Sequence, residues 1–399
     1  MFTFIHTSDW HLGQNFYGYD RSEEHKDFLR QLADIVRKRQ PDALLVSGDI
    51  YHTAAPSNAA VNLYVNAMLD IHRACPTMAI IVIAGNHDSA SRLDSDKRLW
   101  ELANVTVLGG IARDADGKAN FDRHIIKVGD NGIVAAVPFA YPSSFPVPAD
   151  EAEIVRDQRQ QAYFQALLDH TQELNTKGLP VVLMAHLAVN NSDFTGHDYN
   201  MMESFEIGTL GTGYDYAALG HIHRPQQLSE RARYCGTPIP VSFDEQCEHS
   251  VSIVEIDSHG SLPHIETKVI KNLKPLHTVP ADEAVNLEEA LKLIDQRDDI
   301  TGSYIRLHVK VDRFLPTGSQ ERAAQAVSDR KGYYCEIKKT ASTITQGAKQ
   351  QMTLAEFSSK QPIEIANQYL LDTTGSEMTE KEKEMFNYAL RLVQEELRQ

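Results

Sequence analysis

Five apolar runs in this chain end in residues that ligate metals, and that repeated change of character constrains the fold more than any other feature. "FTFIHTSDWH" reaches Asp9 and His11, "ALLVSGD" reaches Asp49, "AIIVIAGNHD" reaches Asn86, His87 and Asp88, "PVVLMAH" reaches His186, and "YAALGHIH" reaches His221 and His223. Short apolar runs bounded by turn residues fit strands buried on both faces. Amphipathic stretches alternate with them. Phe28, Leu32, Ile35 and Val36 recur at helical spacing within 23–39, Ser57 stands as an N-cap before Val61, Tyr64, Val65 and Met68, and a further helix is expected near 155–174. This alternation, sustained to about residue 270, predicts an α/β domain. In open α/β sheets, ligands collect beyond the carboxyl ends of the strands. The five polar ends are therefore expected to converge on one site.

Taken singly, each end says little. A Gly-Asp or Gly-Asn pair is usually a turn, and a lone histidine after a strand is more often a structural or surface residue than a ligand. Five such ends, each behind an apolar strand, are hard to explain as turns. Imidazoles mixed with carboxylates and an amide oxygen suit manganese, iron or zinc, and fit poorly with an all-oxygen calcium cage. His6 precedes the first pair on the strand itself and reads as structural.

The formal charge of −16 over 399 residues argues against a globally basic nucleic-acid-binding surface. A phosphate-bearing substrate would need positive charge supplied locally, as clustered metal ions can do. No apolar run is long enough to span a bilayer, so no membrane association is expected. The N-terminus lacks the features of a secretory signal, which makes the cytoplasm the expected location. Cys75, Cys235, Cys247 and Cys335 form no CxxC pair and read as reduced thiols. The chain also carries no phosphate-binding P-loop run.

Beyond "KVIKNLKPLHTVP" the pattern changes to a small α+β unit: a helix near 286–295, the strand "SYIRLHVKV", a helix near 319–329 and the strand "YYCEIKK". "TASTITQGAKQQ" offers little apolar surface and reads as a linker. Two helical segments follow, around 362–371 and from about 380 to 397. Thr379 and Glu382 have capping-box spacing, and Met385, Phe386, Ala389, Leu392, Val393 and Leu397 form an apolar stripe. The stripe can pack back on its own domain, but its place behind a polar linker favours a partner-binding helical hairpin.

The ordered set DxH, GD, GNHD, H and GHxH resembles the calcineurin-like metallophosphoesterase family over roughly the first two-thirds of the chain. The longer stretches "HTSDWHLGQ", "VSGDIYHTAAPS", "AGNHDS", "LGHIHRPQ" and "YCGTPIPVSFDE" are similar to DNA nucleases of that family that work with an SMC-like ATPase. The resemblance implies a two-sheet αββα sandwich at 1–272, a DNA-contacting α+β cap at 273–340, and a linker with C-terminal ATPase-binding helices at 341–399. It implies two divalent metals, manganese first and Fe2+, Mg2+ or Zn2+ as alternatives. One would be held by Asp9, His11 and His223 and the other by Asn86, His186 and His221, with Asp49 bridging. His87 would face the scissile phosphate, orienting it or protonating the leaving oxygen. Asp88 would orient His87 or merely cap the following turn, while His52 and Arg224 are candidate phosphate or DNA contacts.

The same resemblance implies 3′-to-5′ exonuclease action on duplex ends and endonuclease action on single strands and hairpins, in DNA end processing, repair and recombination. Two nuclease chains would assemble with two ATPase chains, and the ATP state would gate access of DNA to the metals. A stand-alone phosphodiesterase or phosphatase for a small molecule could use the same ligands, but would not require the C-terminal third. A pure scaffold with a degenerate site is disfavoured because every expected ligand is present.

Overall fold

The computed structural model describes residues 1–146, 158–190, 192–193, 195, 204–311, 314–341, 362–374 and 377–396. The chain divides into two compact units. The first comprises Met1–Thr278, Asp298–Arg306 and Val327–Glu336, and the second Val279–Arg297, Leu307–Ala326 and Ile337–Gln399.

Two six-stranded sheets build the first unit. In chain order its strands are β1 (Phe2–Thr7), β2 (Ala43–Ser47), β3 (Ala79–Ile83), β4 (Val105–Leu108), β5 (Ile125–Val128), β6 (Gly132–Val137), β7 (Val181–His186), β8 (Tyr216–Gly220), β9 (Gln226–Ser229), β10 (Ala232–Tyr234), β11 (Ser250–Ile256) and β12 (His264–Val269). One sheet has the order β12-β11-β1-β2-β3-β4 and the other β9-β10-β8-β7-β6-β5. Parallel pairing joins β1 to β4 in the first sheet and β6, β7, β8 and β10 in the second, while β11, β12, β5 and β9 add antiparallel margins.

Side-chain alternation explains why these strands read as continuous apolar runs. Phe2 and Phe4 of β1, with Ala43 and Leu45 of β2, meet Val134, Val182, Met184 and Ala218 between the sheets. The intervening Ile5, Leu44 and Val46 face the opposite way, onto α1 (Ser22–Arg39) and α2 (Asn58–Ala74), through Phe28, Leu32, Val36, Met68 and Ile71. On the far side, Ala135, Leu183 and Leu219 pack against Phe164, Leu167 and Leu168 of α3 (Arg159–Leu174). The result is the αββα sandwich, with both faces of each sheet covered. At roughly 1.5–3 kcal/mol per large apolar side chain buried, these layers hold the strands rigidly enough to carry polar residues at their ends. Ser57 caps α2 as the sequence predicts, its hydroxyl accepting from the Ala60 N–H at 3.2 Å.

A further, three-stranded sheet has the order β13 (Leu276–Val279), β14 (Tyr304–Val311) and β15 (Tyr333–Ala341). The second unit holds α4 (Leu287–Asp295), most of α5 (Ser319–Asp329), α6 (Pro362–Thr374) and α7 (Glu380–Glu396). Asn286 caps α4 by accepting from the Glu289 N–H at 2.9 Å. The Arg322 guanidinium donates to both Glu288 carboxylate oxygens at 2.7 Å, tying α5 to α4. At the start of α7 the capping box forms: Thr379 donates to Glu382 from its N–H at 2.8 Å and its hydroxyl at 2.7 Å. From residue 342 the polar run expected as a linker lies outside the described residues, as do the side chains of Leu392, Val393 and Leu397.

Candidate metal centre

Four of the expected ligands sit in backbone conformations that ordinary residues avoid. Asp9 (φ 54°), His11 (φ 45°), Asp49 (φ 50°) and His221 (φ 103°) are half of the eight non-glycine residues with positive φ among the described residues. Each such position costs about 1–3 kcal/mol and persists only where its surroundings over-determine it. Here main-chain bonds lace the loops together. The Asp9 N–H donates to Gly48 O at 2.9 Å, His11 N–H to Asp49 O at 3.0 Å and Leu12 N–H to Ile50 O at 2.9 Å. The His221 N–H reaches the Asp9 carboxylate at 3.1 and 3.2 Å. Close approach also demands glycine: a Cβ on Gly85 would lie 2.1 Å from Asp49 Oδ1, and one on Gly48 would lie 2.2 Å from His186 Nδ1.

The structure brings the strand ends together in two adjoining sets. Asp9, His11 and His223 form one group, with His11 Nε2 3.1 Å from His223 Nε2. In the other, Asn86 Oδ1 lies 3.0 Å from His186 Nε2 and 2.8 Å from His221 Nδ1. Asp49 stands between them, its Oδ2 3.8 Å from His11 Nε2 and 3.5 Å from His186 Nε2. All of these histidines and both aspartates are buried except His223, which is nearly so.

The hydrogen bonds at the backs of the rings fix what faces inward. His186 Nδ1 donates to Ser47 O at 2.8 Å, which leaves its Nε2 lone pair aimed at the Asn86 carbonyl oxygen. His223 Nδ1 donates to Glu245 Oε1 at 2.9 Å, so its Nε2 likewise presents a lone pair to His11. Groups converging at such distances share either a proton or a metal cation. This donor set of imidazole, carboxylate and amide oxygen fits two borderline divalent metals.

Without metal, protons compete for the same positions. Burial pushes His186 down, but the Asp49 carboxylate outweighs it and raises the imidazole to about 9. Burial acts on Asp49 in the opposite sense, and the charge of His186 overcomes it, holding the carboxyl well below the usual range. His11 is driven well below its usual value by burial. Burial also depresses His223, but the Glu245 hydrogen bond prevails and the net shift is upward.

The other candidates take distinct places. The rings of His52 and His87 are stacked with centroids 5.8 Å apart, and both stand beside His11, at 5.6 and 5.0 Å. His87 Nδ1 lies 2.9 Å from His52 O, so a main-chain carbonyl sets the ring's orientation. The Asp88 carboxylate is turned elsewhere: it accepts main-chain N–H groups from Ile50 at 3.0 Å, Tyr51 at 2.9 Å and Gly85 at 2.8 Å. It thus splices the loop after β2 to the loop after β3. Arg224 pairs with Asp193 at 3.0 Å. His6 is fully buried, 3.0 Å from the Tyr216 hydroxyl, and desolvation pushes it down to about 3.

Two supporting residues escape a reading of motifs alone. Ser8 Oγ donates to the Asp9 carboxylate, and Glu245 backs His223 from a loop twenty-two residues further along. Their only signal in the sequence is adjacency to a ligand for Ser8 and, for Glu245, its place in an acidic pair with Asp244.

Two adjoining sets of candidate metal ligands at the strand ends of an αββα sandwich are the features of a metallophosphoesterase. The sequence matches the calcineurin-like phosphoesterase family over residues 2–225. Proteins described as the SbcD subunits of the nuclease SbcCD are similar over most of their length. The one from Rhodobacter capsulatus is 31% identical over 77% of this chain and 80% of its own, that of Escherichia coli K12 30% over 70% and 71%, and that of Bacillus subtilis 168 28% over 77% and 78%. This chain belongs to the SbcD family of calcineurin-like phosphoesterases. No helix among the described residues is long and apolar enough to cross a membrane.

Proposed function

We propose that the chain is the metal-dependent nuclease subunit of an SbcCD-type complex, hydrolysing DNA phosphodiesters at the Asp9–His223 centre. The observation that carries this reading is the convergence of seven metal-ligand candidates from five strand ends in a chain of the SbcD family. Two divalent ions, manganese first, would supply positive charge and Lewis acidity at the scissile phosphate. Asp9, His11 and His223 would hold one, Asn86, His186 and His221 the other, and Asp49 both. His87, whose Nδ1 lies against the His52 carbonyl, would use Nε2 to orient the scissile phosphate or protonate the leaving oxygen. His52 is a further phosphate contact. Arg224 reaches DNA only if it leaves Asp193.

The finer assignments follow the same reading: exonuclease action from 3′ to 5′ on duplex ends, endonuclease action on single strands and hairpins, and a role in end processing, repair and recombination in the cytoplasm. Residues 273–340 would contact DNA. Residues 341–399 would bind an SbcC-type SMC-like ATPase, within a complex of two copies of each chain. Exposure of Met385 and Tyr388 on α7 supports that docking. The net charge of −16 implies weak, salt-sensitive DNA affinity until the partner adds basic surface.

Purified protein with manganese, end-labelled duplex DNA and a chromogenic small phosphodiester tests the reading. DNA degradation that His87→Ala suppresses is the expected result. Intact DNA alongside rapid turnover of the small phosphodiester would favour a stand-alone phosphodiesterase, and equal DNA cleavage by His87→Ala would remove His87 from catalysis.

A further inference from the structure

Among the described residues, Glu245 is the carboxylate that touches a histidine of the metal centre from behind. Its side chain is fully buried, and both oxygens are committed: Oε1 accepts from His223 Nδ1 at 2.9 Å and Oε2 from the Val241 N–H at 3.0 Å. His249 Nε2 lies 3.9 Å from Oε2. A buried carboxylate is costly unless positive charge faces it, and His223 is the ring bonded to this one. A ring bound to a divalent cation through Nε2 provides that charge, and a carboxylate on its Nδ1 fixes the tautomer and raises the ring's basicity.

The loop that presents Glu245 is itself tied down. Arg21, 1% exposed, donates Nη1 to Pro240 O at 2.6 Å, and Gln14 Nε2 donates to Val241 O at 3.3 Å. Phe243 packs on Phe16 with ring centroids 5.3 Å apart, and Asp244 accepts from Arg306 at 2.8 Å. Every residue from 240 to 245 but Ser242 is thereby anchored by a named bond or ring contact, and a loop this constrained sets the position of a side chain rather than following it.

We propose that Glu245 is a positioning residue for the metal ligand His223, selecting the tautomer and basicity with which that ring binds one of the two ions. The inference rests on the two-metal reading and names a requirement that reading does not contain.

Manganese binding measured calorimetrically and by electron paramagnetic resonance on the full chain separates the two. Wild type is expected to take two ions and give the exchange-coupled signal of a dinuclear pair. Glu245→Ala should bind one ion normally and the other about 10–100-fold more weakly, replacing the coupled signal with a mononuclear six-line spectrum. Glu245→Gln keeps an acceptor for His223 Nδ1 and should recover part of the loss. Melting in chelator confirms that each variant is folded. If Glu245→Ala does not fold, Glu245→Gln decides alone: weakened binding of one ion supports the proposal, and binding equal to wild type overturns it. Two ions bound by a folded Glu245→Ala with unchanged affinity and spectrum would also overturn it. Failure of wild type to bind a pair would instead refute the two-metal reading itself.

Discussion

The loops after β1, β2, β3, β7 and β8 and the helical pair α6–α7 solve opposite problems. In the loops, apolar strands are buried on both faces and the polar residues beyond them are pinned by main-chain bonds, even into left-handed conformations at Asp9, His11, Asp49 and His221. In the tail, a capped amphipathic helix leaves Met385 and Tyr388 65% and 61% exposed. The first region is over-determined by its own chain and, on the proposed reading, needs only metal; the second presents apolar surface that the same reading assigns to the ATPase partner. That reading makes chemistry and assembly separable, and substitutions should divide along the same line.

The largest effect is expected at Asp49. Asp49→Asn removes the charge shared by both ligand sets and should lower manganese-dependent DNA cleavage by about 10³-fold or more, beyond the loss typical of a single transition-state contact. Residual cleavage near wild type would break the separation, because the site would then not depend on its own cage. Gly85→Ala comes next: the added methyl meets Asp49 and should destabilise the metal-free chain by about 1–3 kcal/mol, read from denaturant unfolding, as well as reduce metal uptake.

A smaller, graded effect is expected from pH. His186, raised to about 9 by Asp49, is protonated at pH 7 in the metal-free protein, and metal requires the neutral ring. Binding at pH 7 should therefore release a proton, and affinity should rise by about tenfold per pH unit until levelling near 9. Calorimetry in buffers of different ionisation heats measures the release. For the metal-free fold the sign is reversed: the stability gained from protonated His186 is present below about 6.5 and is lost as pH rises through about 9. The smallest effect on chemistry belongs to the tail. Deleting residues 362–399 should leave manganese-dependent cleavage within about twofold of wild type, since sites with no shared partners act independently, while abolishing co-purification with the ATPase.

What the sequence made legible follows the same physics. A strand buried on both faces has to be apolar throughout, so "ALLVSGD" and "PVVLMAH" announce both their strands and the abrupt polar ends that matter. The division into two sheets was not legible from these runs, because a doubly buried strand looks the same in either; it entered only through family resemblance. The antiparallel addition of β11 beside β1 was equally silent. Asp88 shows the limit at single-residue scale. Adjacency to His87 suggests a partner for its ring, whereas folding turns the carboxylate onto three N–H groups, two in the loop after β2 and one in its own loop. Glu245 marks the converse, since its link to His223 exists only after the chain has returned to the site.

The central claim is that the chain's own strand ends hold two metals. A crystal of the manganese-soaked protein, measured at a wavelength where manganese scatters anomalously, tests it most directly. The account predicts two anomalous peaks, one among Asp9, His11 and His223, the other among Asn86, His186 and His221, with Asp49 between them. A single peak, or peaks away from these side chains, would contradict it.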